Sequence, residues 1–111
     1  MSFEVVPDPQ RVTDKPDVME AFHTTLVAST STPFAFSAAV EVVRVKNWDT
    51  VNRVLVKSSA ISSDTDTGAS RIGKAPTADL PNSEFYPVSG TIHLRSTGTN
   101  EVTVEGFRKV P

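Results

Sequence analysis

The residues Gly68-Ala69-Ser70-Arg71-Ile72-Gly73-Lys74-Ala75 meet the phosphate-binding pattern G-x-x-x-x-G-K-[ST] at every defined position but the last. There a methyl replaces the hydroxyl that would bind Mg²⁺. Such a loop works between a strand and a helix, whose first N–H groups and dipole hold the phosphates. Asp64-Thr65-Asp66-Thr67 precedes it, Pro76 follows at once and Pro81 soon after, so no helix can start there. The segment reads instead as a Gly-rich surface loop whose Arg71 and Lys74 could meet an acidic partner.

Other candidate chemistry thins out in the same way. Asp64-Thr65-Asp66-Thr67-Gly68 echoes a calcium loop, but Gly belongs one place later and the bidentate Glu would fall on Ala75. His23 and His93 are the only histidines, and a metal site built on them would need a third ligand such as Asp64 or Asp66. Ser70 lacks the second glycine of a nucleophile elbow. Glu41 and Glu105 fall on polar strand faces, where solvation is the simpler account. Arg44, Lys46, Arg53 and Lys57 cluster near Trp48, yet against a net charge of −2 they make a weak basis for binding nucleic acid. Trp48 and Tyr86 could stack on a glycan, though each sits beside a turn.

No catalytic set, cofactor or metal site is therefore expected. The elements that would carry these residues are strands. The 111 residues include 16 Val, 13 Thr and 3 Ile but only 4 Leu, a β-branched excess that disfavours helices. Phe34, Phe36, Ala38, Val40 and Val42 alternate as one long strand; at Val43 and Val45 the apolar phase slips, which predicts a bulge or a crossing between sheets. A strand follows over 51–61. Val88, Gly90, Ile92 and Leu94 alternate, 96–100 turns, and Val102 and Val104 alternate again, the pattern of a hairpin. Over 18–29 the second half reads as strand. Residues 62–87, rich in Ser, Thr, Asp, Gly and Pro, form one long loop with Ile72 and Leu80 as anchors.

The expected fold is all-β: a small antiparallel sandwich or barrel of about five to seven strands over 18–111. Residues 1–17, carrying Pro7, Pro9 and Pro16, read as an extended N-terminal arm. The arm is acidic, with Arg11 and Lys15 against Glu4, Asp8, Asp14 and Asp17.

Function follows only as a physical type. There is no cysteine, no stretch long and apolar enough for a membrane span, and no basic and apolar leader, so folding in the cytoplasm is expected. A hydrophobic content of 38% makes a thin core that neighbours could complete. The leading expectation is a non-enzymatic subunit of a larger assembly, homo-oligomeric or joined to other proteins. A virus or phage virion component of decoration, cement or connector type would be one such subunit. Phe3, Val5 and Val6 of the arm and Arg71, Ile72, Lys74 and Leu80 of the loop would make the contacts. The alternatives are a small glycan-binding module and a small metal-dependent enzyme.

Overall fold

A computed structural model describes residues 18–108. The arm over 1–17, with Phe3, Val5 and Val6, lies outside the described residues. Among the described residues eight strands form: β1 (Val18–Thr25), β2 (Thr32–Ala35), β3 (Val42–Asn47), β4 (Val54–Lys57), β5 (Ser70–Ile72), β6 (Asn82–Pro87), β7 (Thr91–Arg95) and β8 (Glu101–Phe107). They pair antiparallel in two four-stranded sheets, ordered β1-β8-β3-β6 and β2-β7-β4-β5. The all-β sandwich is as expected, with one strand more than the upper count. Strands are nested as 1 with 8, 3 with 6, 2 with 7 and 4 with 5, which is the topology of a jelly roll. No helix among the described residues is long and apolar enough to cross a membrane.

The core lies between the sheets, where the alternation of β3, β7 and β8 points Val43, Val45, Ile92, Leu94, Val102 and Val104. Each is nearly or wholly buried, and burial of a side chain of this size contributes about 1.5–3 kcal/mol. Phe34 and Phe36 enter from the second sheet and meet Phe22 edge-on, with ring centroids 5.5 and 5.3 Å apart. β8 passes beneath this cluster at Gly106. A Cβ built there would stand 2.8 Å from Val40 Cγ1 and 2.9 Å from Phe36 Cδ1, so the close approach needs glycine. Gly90, at φ +91°, turns the chain from β6 into β7.

Several expected elements are corrected by this topology. The long strand from Phe34 breaks: β2 ends at Ala35, a turn forms at Ala38 and Ala39, and β3 begins at Val42 in the other sheet. The phase slip thus marks a crossing between sheets. Strand 51–61 shrinks to β4, and β1 is a strand over its whole length. The expected hairpin is not one, because β7 pairs with β2 and β4 while β8 pairs with β1 and β3. Among the eight strands only β4 and β5 are both consecutive and paired.

The long loop is also corrected. Residues 62–87 contain β5, β6 and a bridge between Thr77 and Leu80. The segment before β5 lies on the back of the second sheet. There Leu55, the second residue of β4, is covered by Ile61 and Ala69 in a second small core.

Candidate functional site

The residues singled out for chemistry are spent on structure. Asp64 accepts hydrogen bonds from Arg95 Nε and Ser29 Oγ, both at 2.8 Å, while Arg95 Nη1 donates to the Ile61 carbonyl at 2.8 Å. Asp66 accepts from Lys57 Nζ at 3.0 Å and from the Gly68 N–H at 2.9 Å. The Arg95 bond, helped by Ser29, holds the Asp64 carboxyl below its ordinary value; Lys57, helped by Gly68, does the same for Asp66. These two ion pairs fasten the 61–69 segment to β4 and β7, and a cation would have to displace them. The Gly68–Lys74 segment is interrupted by β5 and leads into no helix.

The histidines lie far apart. His23 projects from the outer face of β1, with Nδ1 2.6 Å from Thr103 Oγ1 and Nε2 2.5 Å from Glu101 Oε2. His93 projects from the outer face of β7 in the other sheet, its Nδ1 3.4 Å from Ser31 Oγ. The two outer faces are separated by the full thickness of the sandwich, and stacked sheets pack about 10 Å apart, so the pair cannot share a mononuclear site. No group of three or more His, Asp or Glu that could hold a metal occurs among the described residues.

The basic cluster is partly neutralised, with Lys57 paired to Asp66 and Arg44 and Lys46 sharing one carboxylate. Arg44 donates to Glu105 Oε1 through Nε at 2.8 Å and Nη2 at 2.6 Å, and Lys46 Nζ stands 3.4 Å from the same oxygen. The Arg44 guanidinium also lies 5.7 Å from the ring centroids of both Phe85 and Phe107. Trp48 is an anchor, its Nε1 donating to Thr103 Oγ1 at 2.9 Å on the outer face of the first sheet. Tyr86 pairs with the buried Val43 and faces inward. The two rings therefore stand on opposite faces and form no common stacking platform.

Tyr86 lines a cleft of about 270 Å³ with Val56, Lys57, Ser70, Thr91 and Ile92. Burial, reinforced by the nearby Glu84 charge, pushes its phenol up to about 12. A wider groove of about 490 Å³ runs over Phe36, Val40 and Val88.

Of the expected contact residues, Arg71, Lys74 and Leu80 are exposed. Ile72 is 1% exposed and packs in the main core, so it holds β5 in place instead of facing a partner.

Two features went unread in the sequence. One is a set of exposed apolar residues along β1: Val18 at 44%, Met19 at 37% and Phe22 at 38%, with Val27 beyond its end. The other is a buried polar knot at one end of the sandwich. Asn47 Nδ2 donates to the carbonyls of Asn52 and Gly73, both at 3.0 Å, while its Oδ1 accepts from the Asp49 N–H at 3.1 Å and Asn100 Nδ2 at 3.0 Å. Asn100 Nδ2 also reaches the Asn52 carbonyl at 2.9 Å, and its Oδ1 lies 2.9 Å from the Ser96 hydroxyl. Asparagines near strand ends were the available signal, but their partners come from three separate loops.

No family model, curated protein or solved structure matches the chain.

Proposed function

We propose that this protein is a non-enzymatic structural subunit that works by contact with other subunits of a larger assembly, a virus or phage virion component of decoration, cement or connector type being its finer form. One observation carries the reading: apolar side chains that a self-contained body of this size would bury are left at the surface along β1, while Phe85 and Leu80 stand exposed elsewhere. The body that bears them is rigid. Its loops are tied by a fully bonded Asn47 amide, and its ion pairs fasten the 61–69 segment to the chain's own sheet. That segment thus supports the body, and the contacts fall to the β1 flank, to the exposed Arg71, Lys74 and Leu80, and to the arm over 1–17. Jelly rolls serve both in virus capsids and in lectins, so the topology is compatible with the reading by analogy of fold alone.

Native mass by light scattering, for the chain alone and mixed with the products of neighbouring genes, tests this. Assembly above the monomer is expected, with loss of assembly but retention of fold on deleting residues 2–17. A chain that stays monomeric in every mixture refutes the proposal.

A further inference from the structure

Four strands lie at sheet edges: β1 and β6 in one sheet, β2 and β5 in the other. Exposed edges invite pairing with other chains, and proteins blunt them by shortness, proline, charge or bulges. Three of the four are blunted. β2 has four residues with Pro33 among them, β5 has three, and β6 carries the inward-facing Glu84 and ends in Pro87. β1 is different: it has eight residues, the most of any described strand, without proline or lysine, and its one inward-facing charge, Glu20, is turned onto the N–H and hydroxyl of Ser37. Its register shift lies at its very start, between Val18 and Glu20. Among the described residues β8 is its one partner.

The backbone phase of β1 identifies what its free edge offers. Leu26 N donates to the Asn100 carbonyl at 2.8 Å, and the register continues as Thr24 with Val102 and Phe22 with Val104. In an antiparallel ladder, residues alternate between bonding one neighbour and facing away from it. Even-numbered residues from Phe22 to Leu26 therefore bond to β8. Ala21, His23 and Thr25 present their N–H and C=O groups to the open side.

From this we infer that two copies of the chain pair antiparallel through their β1 edges, across a two-fold axis at Phe22, to form one continuous eight-stranded sheet. The inference rests on the assembly reading and names its partner as a second copy. Extending a sheet across a perpendicular two-fold keeps inner faces with inner faces, so residue i lies opposite a residue of the same parity. In the register centred on Phe22, Ala21 faces the partner's His23 and His23 the partner's Ala21. That gives about four backbone hydrogen bonds, while the two Phe22 rings meet as a non-hydrogen-bonded pair. Glu20 falls opposite the partner's Thr24. An axis at Glu20 sets that carboxylate against its own copy, one at Ala21 sets it against the partner's Phe22 ring, and one at His23 sets His23 against His23. The Phe22 register avoids all three. It also covers Phe22, whose ring already completes the Phe34 and Phe36 cluster from its exposed side.

The chain lacks cysteine, so single cysteines report the register directly. In the proposed dimer the two Cα atoms of residue 22 stand about 4.5 Å apart, within disulfide reach, while those of residue 24 are about 14 Å apart. Mild oxidation of Phe22→Cys is expected to give a band at twice the 12.0 kDa chain mass, and Thr24→Cys to give none. Ala21→Pro removes an edge-facing N–H that β8 does not use, so it is expected to halve the native mass with an unchanged circular dichroism spectrum. Should Ala21→Pro unfold, the two cysteine variants decide alone. An oligomer that survives a folded Ala21→Pro, or Thr24→Cys cross-linking as readily as Phe22→Cys, overturns the β1 pairing and leaves the assembly reading standing. A wild-type chain monomeric up to near-millimolar concentration also overturns it, and the assembly reading then falls only if mixtures with companion proteins stay monomeric too.

Discussion

Replacing Asn47 with leucine removes the centre of the buried polar knot while keeping side-chain size. Asn47 is fully buried and uses all four of its amide hydrogen-bond positions. Two of its partners survive the loss, because the Asn52 carbonyl still accepts from Asn100 Nδ2 and the Gly73 carbonyl from Asn82 Nδ2 at 3.3 Å. The Asp49 N–H and one Asn100 amide hydrogen do not; both become donors without an acceptor. An orphaned buried polar group costs about 1–3 kcal/mol, so two cost about 2–6 kcal/mol, and leucine's added apolar burial returns part of that. We expect a net loss of about 3 kcal/mol, which lowers the melting temperature by roughly 12–24 °C for a domain of this size. Trp48, the next residue, is the only tryptophan, so urea unfolding followed by its fluorescence reads the site itself. The midpoint should fall with an unchanged slope. A loss below about 1 kcal/mol would refute the view that this knot fixes the end of the sandwich.

Two pH dependences follow from the ion pairs and the buried phenol. Asp64 and Asp66 have folded pKa values held below the ordinary 3.8, so the stability they contribute is present above that value and lost as pH falls through the folded ones. Melting temperature should drop on acidification below about pH 4, less steeply in an Asp64→Asn, Asp66→Asn double variant; equal slopes would remove these carboxylates from the account. Tyr86 is the only tyrosine, and its phenol is raised from 10.0 to about 12. The unfolded chain ionises first as pH rises, so stability should decline above about pH 10. Ultraviolet titration of the folded protein should place phenolate formation near 12, and a midpoint at 10 would show that the ring is not desolvated.

Some of this architecture is legible in the residues alone. The β-branched excess and strict alternation of Val43 and Val45, Ile92 and Leu94, and Val102 and Val104 dictate strands with one face buried, because side chains alternate about a strand whatever its neighbours. The failure of the Gly68–Lys74 pattern is equally local, since Ala75 stands where the Mg²⁺-binding hydroxyl is needed.

Pairing was decided in three dimensions. Alternation says which face of a strand is buried but not which strand lies beside it, and in a sandwich both sheets bury their faces in the same core. That is why 88–105 reads as a hairpin while its two strands belong to different sheets. Likewise, Leu55 and the acidic loop look like surface until Ile61, Ala69, Arg95 and Lys57 are brought onto them from distant positions. Among the described residues, the open edge of β1 exists only because β8, eighty residues away, closes its other side. A sequence carries the propensity to form such a strand; only the assembled sheet determines which of its backbone groups remain to be shared.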